Sequence, residues 1–235
     1  NNLILLIKIS LIMKNIKAII FDAYGTLFDV NSAAEKCKEK IGDKWEGFAN
    51  YWRTTQLEYT WLRSLMKRHK DFWQVTEDSL DKSMQAYKID LSMRNELLDL
   101  YKILSPFSEV TEVLKSLKEK KYKLAILSNG TPTLLNQLVK SNNLENIFDD
   151  IFSIEQVGIY KPDSKVYDMP INKYQIKKSE IAFLSANTWD VSGGGNYGYN
   201  SIWVNRNNNI FDNLDYQPKL EIKNLKDLLP NIKSN

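Results

Sequence analysis

The sequence contains one cysteine and one histidine among its 235 residues. A single cysteine, Cys37, can form neither an internal disulfide nor a cysteine-based metal site. Because Cys37 falls on a predicted helix of small and charged residues, we assign it a structural role. His69 lies in the polar stretch 67–71, where no Ser-His-Asp pattern surrounds it, so we expect a surface side chain.

The net charge is also small, and long hydrophobic runs are few. The net charge is +3, which creates too weak a field to indicate a nucleic-acid partner. Residues 3–12 form an apolar run that Lys8 interrupts. This run is too short to span a bilayer, and no small-residue cleavage site follows it. We expect residues 1–12 to be an upstream or disordered extension, and the protein to be cytoplasmic without a membrane partner.

Short apolar and β-branched runs recur along the rest of the chain, and such runs are typical of strands buried on both faces of a parallel sheet. They lie at 16–21, 123–127, 181–184 and 201–204, with weaker runs at 151–152 and 220–222. Helical patterns separate them at 110–120, 133–141 and 164–174. This alternation predicts an α/β fold with a Rossmann-like, doubly wound parallel sheet.

The interval 30–104 breaks this alternation, because it is long, helical in pattern and rich in aromatic residues. Its apolar side chains follow a roughly helical register at Trp52, Leu57, Trp61, Leu62, Leu65 and Met66. An all-helical insertion after the first strand is the simplest account. We therefore predict an inserted all-helical subdomain over 30–104, the cap of the fold described below, and a core formed by 13–29 and 105–235.

Polar residues follow several of the predicted strands. In an open α/β sheet, ligands bind beyond the carboxyl ends of the strands. The residues predicted to lie there are Asp22, Tyr24, Thr26, Ser128, Asn129, Ser185, Asn187 and Asp190, with Lys161 in a nearby loop. A carboxylate beside a lysine stays ionised, as a nucleophile must. A strand-terminal aspartate is most often a helix cap, but the full set indicates an active site.

Four segments of the chain resemble the signature of the haloacid dehalogenase superfamily. They are Asp22-Ala-Tyr-Gly-Thr-Leu, Ser128-Asn-Gly, Lys161-Pro and Asp190. Longer segments, 52–66 with 71–73 and then 185–190, are similar to the type II L-2-haloacid dehalogenases in particular. The resemblance covers nearly the whole chain from Met13, and it implies a Rossmann-like core with a helical cap.

The position two residues after Asp22 separates two activities of this superfamily. Phosphatases carry a second aspartate there to protonate the leaving alcohol, whereas this sequence has Tyr24. A halide ion leaves without a proton, so a phenol at this position fits dehalogenation. Mg²⁺ prefers several oxygen ligands, and the fourth segment supplies Ser185 and Asn187 in place of further acids. We therefore expect no metal and no cofactor.

The resemblance implies a two-step hydrolysis at Asp22. The Asp22 carboxylate attacks the α-carbon of a short L-2-haloalkanoic acid, inverts it and expels halide, which leaves an ester on Asp22. Water then attacks the ester carbonyl and releases a D-2-hydroxy acid. Arg53, helped by Asn129, is expected to capture the halide. Asp190 and Asn187 are expected to position or activate the water.

Other residues implied by the resemblance hold the substrate and the nucleophile. Ser128, nearby backbone N–H groups and Ala23 are expected to bind the substrate, and Lys161 to steady Asp22. The expected hydrogen-bond network and pocket wall comprise Thr26, Tyr167, Ser185, Tyr24, Leu57, Phe72 and Trp189. Apolar rings around the site exclude bulk water and strengthen the charge interactions inside it. The family is commonly dimeric, and we expect a homodimer with the aromatic cap helix at its interface.

Simpler explanations stay open for several of these residues. Without the resemblance, Arg53 is an ordinary arginine on a helix surface, and Lys161 is an ordinary loop lysine. Phe72, Trp189 and Tyr167 could each simply pack in the core. Two other functions also stay open, a Mg²⁺-dependent phosphatase of the same fold and a catalytically idle scaffold that only binds.

Three positions depart from the dehalogenase pattern. Thr54 stands where these enzymes usually have a pocket-lining glutamine, so we expect a roomier pocket without that amide. Ala186 replaces a common serine. Pro170 falls inside a predicted helix, where we expect it to kink the helix or force a restart and to shift Tyr167.

Residues 193–198 satisfy the GxGxxG pattern of dinucleotide-binding proteins. That fingerprint has to follow the first strand of a βαβ unit, with an acidic residue about 20 positions on. Here it follows a later strand, so we assign no nucleotide site to it. We expect these glycines to loosen the start of the helix behind Asp190, at some cost in stability.

Overall fold

A parallel β-sheet lies at the centre of the protein. The computed structural model describes residues 13–233, so the predicted extension 1–12 lies outside the described residues. The strands are β1 (Ala18–Phe21), β2 (Lys123–Ser128), β3 (Asp150–Ser153), β4 (Ile181–Ser185), β5 (Asn200–Val204) and β6 (Leu220–Ile222). Every neighbouring pair is parallel, and the order across the sheet is β3-β2-β1-β4-β5-β6. The order therefore reverses between β1 and β4, where open α/β sheets bind their ligands.

The central strands are apolar because helices cover the sheet. All residues of β1 and β4 are buried, and in β2 only Lys123 is exposed. Continuous apolar runs are what a doubly covered parallel strand requires. The predicted strands differ from the observed ones by at most two residues at an end. The predicted α/β fold class is confirmed.

The helices fall into two groups along the chain. Within the described range they are α1 (Ser32–Lys36), α2 (Lys38–Ile41), α3 (Trp45–Leu65), α4 (Phe72–Tyr87), α5 (Arg94–Tyr101), α6 (Val110–Glu119), α7 (Pro132–Ser141), α8 (Ser164–Tyr174) and α9 (Thr188–Tyr197). Helices α1–α5 follow one another between β1 and β2 and form the helical cap, whereas α6–α9 alternate with strands. None of the helices described in 13–233 is long and apolar enough to cross a membrane.

The two long cap helices, α3 and α4, pack against each other. The buried face of α4 carries small hydroxyl residues, each of which donates to a carbonyl of its own helix. Thr76 bonds to Phe72 O at 2.7 Å, Ser79 to Thr76 O at 3.0 Å, and Ser83 to Ser79 O at 2.7 Å. Asp71 caps the start of α4, because its carboxylate accepts from Gln74 N at 2.8 Å. This buried face therefore mixes apolar and hydroxyl side chains, and its hydroxyl groups stay satisfied.

The chain leaves the core and returns to it at adjacent points. Asp29 N donates to Ser105 O at 2.8 Å, and Phe107 N donates to Leu27 O at 3.1 Å. We call residues 27–29 and 105–107 the core–cap junction. Because the two crossings are hydrogen-bonded to each other, the cap is inserted without interrupting the sheet. The first part of the junction follows the loop 22–26 that carries Asp22.

The expectation that Pro170 forces its helix to restart is wrong, and the kink expected as the alternative stays a prediction. Helix α8 runs without a restart from Ser164 to Tyr174 with Pro170 inside it. The helix is anchored at its start, where the Asp163 carboxylate accepts from Lys165 N at 2.9 Å. Pro170 lacks an N–H and so removes only the hydrogen bond toward the preceding turn. Tyr167 lies before Pro170, in the turns that this cap fixes, and it stays directed at the site.

Candidate active site

Asp22 lies at the carboxyl end of β1, in the middle of the sheet. Its N–H donates to Leu184 O on β4 at 2.9 Å, which fixes the backbone against the neighbouring strand. The residue is only 5% exposed. Ser128 ends β2 and Ser185 ends β4 at the same edge of the sheet. The structure thus brings the predicted strand-end residues to one rim.

Lys161 joins the two carboxylates of this site. Its Nζ lies 3.1 Å from Asp22 Oδ1 and 2.9 Å from Asp190 Oδ2. The Lys161 side chain is fully buried. Burial alone lowers the pKa of Lys161, but the charges of Asp190 and Asp22 and its hydrogen bonds to both raise that pKa above its ordinary value. Lys161 is therefore a cation at any physiological pH.

The second oxygen of the Asp22 carboxylate is held by a different set of donors. Thr26 Oγ1 donates to Oδ2 at 3.0 Å and Asn187 Nδ2 donates to it at 2.8 Å, while Ser185 Oγ lies at 3.5 Å. Thr26 Oγ1 in turn accepts from Ala186 N at 2.8 Å. Both carboxylate oxygens are thus hydrogen-bonded, which fixes the plane of the carboxylate.

Asp190 lies in the first turn of α9, where a negative charge is favourable. Tyr167 donates its hydroxyl to Asp190 Oδ1 at 2.7 Å. Burial raises the pKa of Asp190, and Lys161 opposes this rise without cancelling it. Burial and the Asp190 charge also raise the pKa of Tyr167, so the phenol stays protonated and acts as a donor. Asp190 is therefore a better proton acceptor than an ordinary aspartate.

Arg53 reaches the site from the cap helix α3. Its Nη2 donates to Tyr24 O at 3.3 Å and lies 3.5 Å from Asn187 Oδ1, at the outer limit of a hydrogen bond. Its Nη1 donates to Gln56 Oε1 at 2.9 Å. The guanidinium group therefore lies at the boundary between cap and core, next to residues that hold Asp22. Leu57, also on α3, is partly buried.

Aromatic rings surround this region. The centre of the Tyr24 ring lies 5.0 Å from that of Phe72 and 5.7 Å from that of Tyr101, on which it stacks. Burial, and then the nearby Tyr101, raise the pKa of Tyr24 well above its ordinary value. Trp189 contacts Trp61 of the cap edge-to-face at 5.3 Å. The rings provide the apolar surroundings that strengthen charge interactions nearby.

Ser128, Asn129 and Ala23 are buried beside the strand ends that carry the site. Ser128 Oγ accepts from Gly130 N at 3.1 Å, and Asn129 Oδ1 accepts from Lys161 N at 3.1 Å. Asn129 thus fixes the backbone of the lysine that bridges the carboxylates. Contact of these three residues with a substrate stays a prediction.

The sequence reasoning missed two polar residues of the cap, Gln56 and Tyr101. Gln56 is 1% exposed, and its Nε2 donates to Thr76 Oγ1 at 2.7 Å and to Tyr101 Oη at 3.0 Å. The same side chain accepts from Arg53, so these groups hold the guanidinium in place. The sequence does carry a signal for Gln56. It lies three residues after Arg53, and this spacing places both side chains on one face of the helix.

The expectation that Thr54 makes the pocket roomier stays a prediction. Thr54 is exposed on α3. A helix turns by about 100° per residue, which directs residue 54 away from the face that carries Arg53 and Gln56. The amide beside the arginine is supplied by Gln56.

The expectation that the glycines of α9 loosen its start is wrong. The helix is continuous from Thr188 to Tyr197. A Cβ atom on Gly193 would lie 2.6 Å from both Pro162 Cβ and Tyr167 Oη, and one on Gly194 would lie 2.7 Å from Phe183 Cδ1. The glycines therefore permit a close approach of α9 to its neighbours, which places Asp190 beside Tyr167. They lie in the second half of the helix, whereas the dinucleotide fingerprint opens a helix, so they do not form that fingerprint.

Cys37 and His69 lie outside this site. Cys37 is buried and free. His69 is exposed, as predicted, and its Nε2 lies 2.9 Å from Glu155 Oε2. This pair links the cap to the core.

The acidic residues of the site are arranged around the lysine ammonium. Within residues 13–233, no group of three or more His, Cys, Asp or Glu side chains is placed to hold a metal ion. Asp22 and Asp190 face Lys161, which supplies the positive charge between them. The expected independence from metal stays a prediction.

This chain is similar to known haloacid dehalogenases over most of its length, and three examples follow. The (S)-2-haloacid dehalogenase of Pseudomonas sp. (strain YL) is 41% identical over 216 residues, which cover 91% of this chain and 93% of the relative. A crystal structure described as a dehalogenase matches with a TM-score of 0.92 and 34% identity, covering 94% of this chain and 99% of its own. The L-2-haloacid dehalogenase of Xanthobacter autotrophicus, solved with chloropropionic acid covalently bound, matches with a TM-score of 0.84 and 31% identity, covering 92% and 97%.

The family comparison agrees with the geometry of the site. The model of the haloacid dehalogenase-like hydrolases matches residues 16–198, a range that contains Asp22, Lys161 and Asp190. The chain therefore belongs to the haloacid dehalogenase-like hydrolase family.

Proposed function

We propose that this protein hydrolyses short L-2-haloalkanoic acids to D-2-hydroxy acids through an ester on Asp22. The observation that carries the proposal is the buried cluster of Asp22, Lys161 and Asp190, in which one ammonium bridges two carboxylates. An ionised, oriented and desolvated carboxylate is suited to nucleophilic attack. The related haloacid dehalogenases support the substrate class, and the relative with covalently bound chloropropionic acid supports a covalent step.

The first step forms the ester. An oxygen of Asp22 attacks the α-carbon from the side opposite the halogen, the carbon–halogen bond breaks, and the halide leaves with its electron pair. The carbon is inverted. Arg53 and Asn129 receive the halide, while Ser128, Ala23 and the adjacent backbone hold the substrate carboxylate. The carboxylate of Asp22 starts from a fixed orientation, which removes part of the entropy cost of the attack.

The second step breaks the ester. A water molecule attacks the Asp22 carbonyl carbon and transfers a proton to Asp190, whose raised pKa makes it a suitable base. The bond between that carbonyl carbon and the ester oxygen, which Asp22 supplied in the first step, then breaks. The departing alkoxide takes the proton from Asp190 and leaves as the hydroxy acid, and the re-formed Asp22 carboxyl group releases its proton to solvent. Asn187 orients the water, and Thr26, Ser185, Tyr167 and Lys161 hold the two aspartates. Tyr24, Leu57, Phe72 and Trp189 line the substrate pocket.

Dehalogenation fits the site better than phosphate ester hydrolysis. Tyr24 occupies the position of the acid that protonates a leaving alcohol, and burial keeps its phenol pKa far above neutrality. Such a phenol is a poor proton donor at neutral pH. A binding scaffold without activity has no need for a buried ammonium between two carboxylates, which is costly to desolvate.

We propose further that the protein works in the cytoplasm as a homodimer. The single cysteine is buried and free, which suits a reducing compartment. The end of α3 exposes three apolar side chains, Leu62, Leu65 and Met66. A contiguous exposed apolar patch commonly marks a protein interface.

The proposal is tested by halide release from L- and D-2-chloropropionate in EDTA. We expect release from the L substrate only, and none from Asp22→Asn. The matched control is Asp78→Asn, which removes a carboxylate of the cap paired with Arg63 and leaves turnover unchanged. Mg²⁺-stimulated release of phosphate from p-nitrophenyl phosphate, without halide release, supports the phosphatase instead. Binding of the haloacid without release of either product supports the idle scaffold.

A further inference from the structure

Arg206 lies directly behind the loop that carries the nucleophile. It follows β5 by two residues, and its side chain is 15% exposed. The Nη2 atom donates to Thr26 O at 3.0 Å, and Nη1 lies 3.5 Å from Gly25 O. One guanidinium group therefore contacts two successive carbonyl groups of the loop 22–26.

The same guanidinium is held from the other side by the returning chain. Its Nε and Nη2 atoms donate to Glu109 Oε1 at 3.2 and 2.7 Å. The guanidinium carbon lies 3.8 Å from the centre of the Phe107 ring, close enough for a cation–π contact. Burial alone raises the pKa of Glu109, but the Arg206 hydrogen bond and charge lower that pKa below its ordinary value. Glu109 is therefore a carboxylate at neutral pH.

These contacts link the core–cap junction to the nucleophile. Phe107, which packs on the guanidinium, also donates its N–H to Leu27 O at 3.1 Å. Thr26 is held through its carbonyl by Arg206, and its hydroxyl donates to Asp22 Oδ2 at 3.0 Å. Arg206 touches neither Asp22 nor the pocket. Its effect on Asp22 passes through Thr26.

We propose that Arg206 is a positioning residue that holds the Thr26 carbonyl, and through Thr26 the Asp22 carboxylate, in the orientation needed for attack. The expected effect of Arg206 on turnover rests on the function proposed above. Arg206 also gives the junction a role beyond joining cap and core, because the group that orients the nucleophile is fixed by Phe107 and Glu109 where the chain returns from the cap.

An arginine is required for this arrangement. The planar guanidinium presents five N–H donors in a fixed fork, whereas a lysine presents one compact ammonium. Lysine at this position can satisfy Glu109 or Thr26 O, but it cannot hold both carbonyl groups and the carboxylate in one plane. We therefore expect Arg206→Lys to fold and to restore only part of the function lost in Arg206→Met.

The test compares Arg206→Met and Arg206→Lys with the control Arg94→Met. Arg94 is matched because it binds Asp81 through two nitrogen atoms, at 2.5 and 3.1 Å, on the cap. We expect kcat for halide release to fall about 10- to 100-fold in Arg206→Met with KM close to wild type, because a small displacement of a reacting group costs this much. We expect kcat of Arg206→Lys to lie between those of Arg206→Met and the wild type. We expect kcat of Arg94→Met to match the wild type.

Amide hydrogen exchange of peptides covering 22–29 and 105–109 provides a readout that does not depend on the substrate. We expect faster exchange there in Arg206→Met and unchanged exchange in Arg94→Met. The inference is overturned if Arg206→Met keeps both wild-type kcat and wild-type exchange, or if Arg206→Lys restores kcat fully. If the wild-type protein releases no halide, the proposed function fails, and the exchange result alone then decides whether Arg206 holds the loop. If Arg206→Met does not fold, the Arg206→Lys comparison decides.

Discussion

At the scale of single residues, the site depends on one buried ammonium. Lys161 is fully buried and its hydrogen-bonding partners include both Asp22 and Asp190. Removing one member of a buried ionic group leaves the others without compensation, which costs far more than losing a surface pair. Lys161 therefore contributes to folding as well as to the charge of the site.

We predict that Lys161→Met lowers the free energy of unfolding by about 3–5 kcal/mol at pH 8. The pKa of Asp190 is already raised by burial, and without the ammonium it rises further. A carboxyl whose folded-state pKa is raised contributes stability at low pH and loses it as pH rises through that pKa. The loss should therefore be smaller at pH 5 than at pH 8, as measured by urea unfolding.

The control for this substitution is Lys118→Met. Lys118 makes a partly exposed pair with Asp149 at 2.8 Å, and such pairs contribute about 0–1 kcal/mol. An equal loss of stability in Lys161→Met and Lys118→Met contradicts the prediction. A loss for Lys161→Met that is larger at pH 5 than at pH 8 also contradicts it.

The pH dependence of turnover follows from the same groups. The pKa of Lys161 is raised above 10.5, so the ammonium and its effect on Asp22 persist up to that pH and are lost only above it. The pKa of Asp190 is raised above 3.8, so its basic form is lost on the acid side before that of an ordinary aspartate. We predict that kcat falls toward acid pH and holds on the alkaline side to about pH 10. A fall in kcat between pH 8 and 9, with the protein folded, is inconsistent with this account.

At the scale of elements, helix α3 fixes the cap arginine through its buried face. Gln56 lies between Arg53, Thr76 and Tyr101 and exchanges hydrogen bonds with all three. The guanidinium is thereby oriented by groups on α3, α4 and α5. The position of the expected halide-binding group thus depends on packing within the cap.

We predict that Gln56→Leu raises KM and lowers kcat for halide release, because Arg53 loses its acceptor. The buried Thr76 and Tyr101 hydroxyls also lose a partner, which should reduce stability by about 1–3 kcal/mol. Steady-state kinetics and thermal unfolding measure the two effects. Gln74→Leu is the matched control, since the Gln74 amide bonds to Asp78 on the exposed side of α4. Wild-type KM and kcat in Gln56→Leu would show that Arg53 needs no such support.

The elements of the core could be predicted because their sequence signals are local. The strand at 181–184 is an apolar run ending in a serine, and the parallel-strand rule alone places Ser185, Asp22 and Ser128 at one edge. The same rule applied to β5 points to Arg206, which we did not consider from the sequence. The contact of Arg206 with Thr26 depends on the strand order across the sheet, which the apolar runs do not reveal.

The cap residues could not be placed from local patterns. Arg53 and Phe72 lie on α3 and α4, and their approach to Tyr24 depends on how the cap packs on the core. The resemblance to the dehalogenases indicated them, but it did not indicate Gln56, which holds Arg53. The glycines of α9 were misjudged for a related reason. Helix propensity gives the stability cost of glycine in a helix. The close approach of Pro162 and Tyr167 to Gly193 is visible only in the packed structure.

At the scale of the whole molecule, the cap and core are joined by contacts on several sides of the site. Glu155 of the core binds His69 and accepts from Phe72 N at 3.3 Å, and Tyr160 Oη donates to Lys70 O at 2.6 Å. With Asp22 only 5% exposed, the cap encloses the nucleophile. Enclosure of this kind excludes bulk water, and it fits the small 2-haloacids of the proposed function.

The proposed dimer is tested at the same scale. We predict that the wild-type protein has the mass of a dimer in size-exclusion chromatography with light scattering, and that Leu65→Glu converts it to a monomer. Leu65 is 80% exposed at the end of α3, so a charge there is harmless to the monomer and costly in an apolar interface. Leu91→Glu is the control, an exposed leucine in a different part of the cap. A dimer unaffected by Leu65→Glu, or a monomeric wild type, argues against this interface.

The central claim, that Asp22 forms the ester, is tested most directly by one turnover of L-2-chloropropionate in H₂¹⁸O with enzyme in excess. Water attacks the Asp22 carbonyl, so the account predicts ¹⁸O in the peptide that contains Asp22 and an unlabelled hydroxyl group in the lactate, both measured by mass spectrometry. The opposite pattern, with ¹⁸O in the lactate hydroxyl and none in Asp22, shows that water attacks the substrate directly and contradicts the account.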